Sequence, residues 1–320
     1  HFIGCRVGGG VRSRYPARYG DKDHRYYFAV HGGALFIHAI VRRLIEAGGS
    51  LDFTEDQIER YARHIILKDV GGAGQAKLLG ARVLVVGAGG LGSPVIMYLA
   101  AAGVGTIGVI DDDEVSLSNL QRQILHTTDR VGMAKTESAA QVTAALNPDV
   151  NLAAHHSRLD VTNIMGLLAD YDIVADGSDN FPTRFLINDA CHLAGKTLVS
   201  AALSQFDGQI STFKSHMGPE HSCYRCIYPQ APPQGMVPSC AEAGILGALA
   251  GTVGSLQAVE VMKEILDIGE SLSGSLVIYD ALNATWRKIK VRRDPACTLC
   301  GDHPTITDLS AYKPATASVD

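Results

Sequence analysis

Three observations in the sequence predict an α/β fold with a mostly parallel sheet, an antiparallel extension and a zinc-bound C-terminal subdomain. Short β-branched runs alternate with longer helical patterns between about residues 80 and 200. One such run leads directly into Gly87-Ala88-Gly89-Gly90-Leu91-Gly92 and then a helical stretch. Two C-x-x-C pairs, Cys223/Cys226 and Cys297/Cys300, lie about seventy residues apart.

A chain of 320 residues, 46% hydrophobic and 19% charged, can bury one large core or one core with a small appendage. Its net charge of -5 argues against a nucleic-acid partner held by a broad basic surface. The charge is uneven. Residues 1–50 hold eight Lys/Arg and three Asp/Glu, so this stretch is +5 and the remainder is -10. Uncharged runs at 83–110 and 243–259 are long enough to resemble membrane spans. A glycine turn and Pro94 break the first, and the second is rich in small residues, so it reads as a buried helix and no membrane partner is expected. No secretory signal is evident at the start, so a cytoplasmic setting with reduced thiols is expected.

Residues 1–50 read as a Gly- and Arg-rich leader without sustained period, apart from a possible short helix at 35–47, and disorder is expected there. A functional extension and an artefactual leader both remain open. An ordered domain is placed at 52–301, in two parts at about 52–200 and about 201–301; 302–320 reads as a tail. Order begins at the capping box Thr54-Glu55-Asp56-Gln57, which opens a helix to about Leu67. A glycine turn (Gly71, Gly72, Gly74) and a short helix at 75–79 precede the buried strand 82–86. The glycine loop, the helix 93–102 and the strand 106–110, ending in Asp111-Asp112-Asp113, complete a βαβ unit. Helices at 135–146, 162–168 and 181–194 then alternate with strands at 150–155, 173–176 and 197–201. The runs 209–214, 275–279 and 286–291 read as the antiparallel extension.

G-x-G-x-x-G between strand and helix turns the backbone tightly against a phosphate and aims free N–H groups at it. Asp111 ends the next strand, where a carboxylate can bond a ribose hydroxyl. A nucleotide is expected, and the fingerprint alone would suit NAD. The downstream residues favour another nucleotide. Arg122 and Lys135 follow within reach of the phosphates, and splitting ATP between its α- and β-phosphates requires cations, and usually a metal, to offset charge on the departing pyrophosphate.

The motifs Arg60 to Ile65 (RYARHI), GAGGLG, Ser116 to Gln123 (SLSNLQRQ), G-x-x-K at 132–135 and Asp176 to Asn180 (DGSDN) occur in this order. Over about 52–301 the chain thereby resembles the MoeB/ThiF family and the adenylation domains of ubiquitin-activating enzymes. The resemblance implies a Rossmann-like domain in which Gly87, Gly89, Gly90, Gly92, Asp111, Asp113, Asn119 and Gln123 hold ATP. It places Arg122 and Lys135 on the phosphates and Asp179 on Mg2+, with Arg63 lent to the other subunit of a homodimer.

Four thiolates from two tight turns match the closed tetrahedral coordination of structural zinc, so Cys223, Cys226, Cys297 and Cys300 are its candidate ligands. A redox pair or accidental spacing is the alternative. The family carries such a zinc away from its chemistry. Cys191 reads as a buried small hydrophobe. Cys240 matches a cysteine that some relatives link covalently to the carrier protein, while others adenylate without it, and its role as a nucleophile stays open.

The implied activity is ATP-dependent adenylation of the C-terminal carboxylate of a small ubiquitin-like sulfur-carrier protein ending in Gly-Gly, in molybdopterin or thiamine synthesis. About twenty residues follow Cys300, too few for a rhodanese domain, so a separate sulfur donor is expected. The rival readings are an NAD oxidoreductase, a non-catalytic scaffold for ubiquitin-like proteins, and a relative that adenylates another carboxylate.

Overall fold

The computed structural model describes residues 53–233 and 243–314. The leader, its candidate helix at 35–47 and Cys240 lie outside the described residues. Helix α1 (Glu55–Ile65) starts at the capping box read from the sequence. The Gln57 N–H donates to the Thr54 hydroxyl, and the Thr54 N–H to the Gln57 side chain.

The glycine turn expected before the first strand is instead the opening of helix α2 (Gly71–Gly80). Gly71 takes φ +61, while a side chain at Gly74 would meet Val70 and Leu266 at 3.0 and 3.1 Å. Glycine here permits close packing as well as a turn.

There follow β1 (Arg82–Val86), α3 (Gly92–Ala102), β2 (Thr106–Ile110), α4 (Lys135–Leu146), β3 (Asn151–His155), α5 (Ile164–Ala169), β4 (Ile173–Asp176) and α6 (Phe181–Ala194). The chain then forms β5 (Thr197–Ser204), β6 (Asp207–Phe213), α7 (Gly247–Leu266), β7 (Ser275–Asp280) and β8 (Thr285–Lys290). The uncharged run at 243–259 does enter a buried helix, but α7 begins later and continues to Leu266. There Asp267, at φ 57, ends it in the left-handed region.

The strands form one sheet in the order β3-β2-β1-β4-β5-β6-β7-β8. Pairing is parallel from β3 through β5 and antiparallel from β5 to β8, as the sequence predicts. Alternation along β1 sends Val83 and Val85 into one core, with Leu99 of α3 and Val253 of α7. Leu84 and Val86 enter the other, with Phe185 and Ile187 of α6. Burial on both faces explains why these parallel strands read as unbroken apolar runs.

The order reverses between β1 and β4, and the crevice beyond the carboxyl ends of these strands is where such sheets bind ligands. The glycine loop follows β1 and the D-G-S-D-N segment follows β4. Beyond β8, the chain packs back onto the second core through Leu309, which is 8% exposed, and Tyr312. Among the described residues, no helix is long and apolar enough to cross a membrane.

Candidate nucleotide site and four-cysteine cluster

The glycine loop has little freedom. Gly87 takes φ +90, and a side chain at Gly92 would lie 1.8 Å from the Gly87 carbonyl oxygen, so α3 can start this close to β1 only with glycine there. Between them, Ala88 is held at both backbone polar groups. Its N–H donates to Asp111 Oδ2 at 2.7 Å, and its carbonyl lies 2.9 Å from His126 Nε2. A carbonyl accepts only, so His126 Nε2 carries a proton; Nδ1 lies 2.8 Å from the Ser138 hydroxyl. Burial lowers the pKa of His126, which favours the neutral ring.

The loop borders a cavity of about 360 Å³. Of the predicted nucleotide residues, Gly87, Gly89, Gly90, Asp111, Asp113, Arg122, Gln123, Lys135 and Asp179 line it. Gly92 acts from behind the loop by making room for it. Asn119 does not line the cavity; its side-chain oxygen accepts from Arg122 Nη2 at 3.1 Å and orients that guanidinium. Arg63 is exposed on the last turn of α1 and does not line this chain's cavity.

Burial raises the Asp111 carboxyl pKa, opposed by Lys135 and by the N–H groups of Ala88 and Asp113. Lys135, the buried first residue of α4, lies 2.7 Å from Asp113 Oδ2. Asp179 is exposed, its side-chain partner being Asn180 Nδ2 at 3.4 Å. The Gln123 side-chain oxygen is buried without a hydrogen-bond partner, although it borders the cavity. It calls for a donor from a ligand or water.

Several cavity residues escape the sequence reading. Arg158 and Leu159, after β3, line one side. Asn180, Thr183 and Arg184 bring the start of α6 to another, with the Asn180 side chain accepting from the Thr183 N–H at 3.0 Å. The Asn180 cap and Pro182 in the first turn were a readable helix-start signal. His126 offered none, because its partner is 38 positions away.

The two C-x-x-C pairs converge. Cys223 Sγ lies 3.8 Å from Cys226 Sγ, 3.6 Å from Cys297 Sγ and 3.4 Å from Cys300 Sγ. Tetrahedral zinc with bonds of about 2.3 Å places sulfurs about 3.8 Å apart, so the four thiols fit such an ion. None of them lines the cavity. Cys191 is 2% exposed in α6, and burial raises its thiol pKa far above the ordinary value, as a core residue requires.

ThiF family sequences match residues 61–299. The chain belongs to the ThiF family. It is 51% identical over 266 residues to the sulfur carrier protein adenylyltransferase of Thermus thermophilus, covering 82% of this chain and 97% of that one. It is 49% identical over 273 residues to the SAMP-activating enzyme E1 of Haloferax volcanii, covering 85% and 99%. Among solved structures, Escherichia coli MccB with MccA-N7isoASN superposes with a TM-score of 0.67 at 22% identity, covering 82% and 80%. That likeness shows a shared fold.

Proposed function

We propose that this ThiF-family protein is an adenylyltransferase that activates the C-terminal carboxylate of a ubiquitin-like sulfur-carrier protein with ATP. The observation that carries this reading is the pairing of a phosphate-type glycine loop with two cations, Arg122 and Lys135, in one cavity. One relative named above is by name a sulfur carrier protein adenylyltransferase and the other a SAMP-activating enzyme E1, and this chain covers 97% and 99% of their lengths.

In this reading the triphosphate lies along the loop between Gly87 and Gly92, near the start of α3, where free N–H groups and the helix dipole favour an anion. Asp111 takes the ribose, and Gln123 supplies an acceptor that lacks a partner in this structure. The carrier's carboxylate is ionised at neutral pH and needs no general base. One of its oxygens attacks the α-phosphorus, and the bond to the β-phosphate oxygen breaks. Arg122, oriented by Asn119, and Lys135 stabilise the charge that develops on pyrophosphate. Asp179, exposed at the cavity, would hold Mg2+, which would supply positive charge against the phosphates.

Arg63, exposed and away from its own cavity, is assigned to the cavity of a second copy in a homodimer. Zn2+ is assigned to the four cysteines as a structural ion. Cys240 is assigned to a later covalent step, in which its thiolate attacks the acyl carbon to form a thioester and releases AMP; sulfide-level sulfur from a separate donor then displaces the Cys240 thiolate and leaves the carrier thiocarboxylate. ATP–pyrophosphate exchange tests the adenylation step. Exchange should require a carrier ending in Gly-Gly and collapse in Arg122→Ala; exchange that is independent of carrier would overturn the reading.

A further inference from the structure

Arg184 is a buried cation that forms no ion pair among the described residues. It is 7% exposed. Its Nη1 donates to the Ala201 carbonyl at 2.9 Å, and its Nη2 donates to the Ser178 carbonyl. These acceptors satisfy hydrogen bonds but carry no neutralising charge. Buried Lys135 and half-buried Arg225 differ, each lying 2.7 Å from a carboxylate.

Asp176, the buried acid in this region, is already engaged. It accepts from the Ser178 N–H at 2.9 Å, the Ser178 hydroxyl at 2.6 Å and the Ser200 hydroxyl at 2.8 Å. The Tyr224 hydroxyl beside Arg184 is kept protonated by burial, although the guanidinium charge opposes this. A guanidinium has five N–H donors in a planar fork, so donors remain after the two carbonyls and the Tyr224 hydroxyl, to which Arg184 also donates.

Its position indicates which anion it meets. Arg184 lies on the first turn of α6, after β4, whereas Lys135 belongs to the segment after β2 on the other side of β1. It is the one described residue shared by the nucleotide cavity and a narrow second cleft of about 10 Å³ beside β5 and β6. The phosphates already have the glycine loop, Arg122 and Lys135.

We propose that Arg184 is the carboxylate anchor for the acyl substrate, holding the carrier's C-terminal carboxylate on the β5 side of the cavity while the α-phosphate is presented from the glycine loop. This rests on the adenylation reading. A planar fork matches a carboxylate in two parallel hydrogen bonds, which an ammonium cannot do.

The test uses the intact protein and a sulfur-carrier protein ending in Gly-Gly, prepared as the free acid and as the C-terminal amide. Binding of both forms is titrated, with ATP affinity measured in parallel. Wild type should bind the acid about 10-fold or more tightly than the amide, the scale of a charge-assisted pair. Arg184→Gln should lose that preference and keep its ATP affinity, whereas Arg184→Lys should retain part of the preference.

Melting temperature and zinc content establish whether each variant is folded. If Arg184→Gln does not fold, Arg184→Lys carries the comparison, and an undiminished preference there overturns the proposal. A variant whose ATP affinity falls while the acid-to-amide ratio holds also overturns it, because the anion is then a phosphate. A wild type that adenylates the carrier without preferring the acid in binding overturns this inference alone. A wild type that adenylates no carrier overturns the adenylation reading beneath it.

Discussion

Lys135 Nζ lies 2.7 Å from Asp113 Oδ2, joining a buried lysine side chain that is 4% exposed to an aspartate that is 68% exposed. The Lys135 N–H also donates to the Asp113 carbonyl, so the start of α4 grips this residue twice. The pair holds a cation at the cavity wall before any phosphate arrives. Lys135→Ala should lower the rate of carrier-dependent exchange by about 10²-fold or more, the scale for one fixed charge-stabilising donor. Asp113→Asn should do less, since the lysine and its direction from α4 remain. An exchange rate in Lys135→Ala within a few-fold of wild type would remove this residue from the mechanism.

His126 and Asp111 hold the two peptide groups that flank Ala88, one at the carbonyl and one at the N–H. His126→Phe should weaken ATP binding by about 10-fold, equivalent to about 1.4 kcal/mol for a loop hydrogen bond lost from a buried site. His126→Gln places an amide N–H where Nε2 stood and should recover most of the affinity. The same residue gives a pH signature. Its pKa is lowered in the folded protein by burial and by nearby Lys135 and Arg130, so below the ordinary value of 6.5 the unfolded chain binds a proton that the folded chain resists. Its stabilising contribution is full above pH 6.5 and declines as pH falls towards the lower folded value. Denaturation midpoints across this range should show a shallower acid decline in His126→Phe than in wild type.

Two glycines near the site should respond differently to the same substitution. Gly92→Ala drives a methyl into the Gly87 carbonyl at 1.8 Å and should abolish nucleotide binding or folding. Gly132→Ala meets nothing within 4 Å but must hold φ +87, so it should cost about 1–2 kcal/mol and leave ATP affinity intact. Melting temperature and nucleotide titration separate the two cases.

The four-cysteine cluster is fastened to the site helix through Arg225, which lies between Cys223 and Cys226. Its Nε and Nη2 donate to the two oxygens of fully buried Asp189 on α6 at 2.8 and 2.7 Å. The Tyr312 hydroxyl donates to Asp189 at 2.6 Å. Arg225→Ala leaves a buried carboxylate without its cation and should destabilise the protein by about 3 kcal/mol or more, whereas Tyr312→Phe should cost about 1–2 kcal/mol. Chemical denaturation checks both, and metal analysis should show weaker zinc retention in Arg225→Ala.

The interactions readable from sequence are local ones. The capping box joins Thr54 and Gln57, three positions apart, and the β1–loop–α3 unit is encoded in a single continuous stretch, so strand, turn and helix follow from residue order. The parallel strands were legible because both their faces are buried. Residues acting across the fold were not legible. Arg184 looks like one more polar residue at a helix start, and its lack of an acid partner appears only when β5 lies beside it. Tyr312 lies in what reads as a tail, and its partner Asp189 is 123 positions away. The glycines opening α2 misled for a related reason: Gly74 answers to Leu266 of α7, whose proximity no local pattern records.

The central claim is that the cavity joins AMP to the carrier's terminal carboxylate. The most direct measurement incubates the Cys240→Ala protein, which lacks the thiolate assigned to displace AMP, with Mg2+, ATP labelled on its α-phosphate, and a carrier ending in Gly-Gly, then follows the label by mass spectrometry of the intact carrier. The account predicts one AMP on the C-terminal glycine, one pyrophosphate released per carrier, and no transfer to the amidated carrier. ATP binding without AMP on any such carrier, or equal labelling of acid and amide, would contradict it.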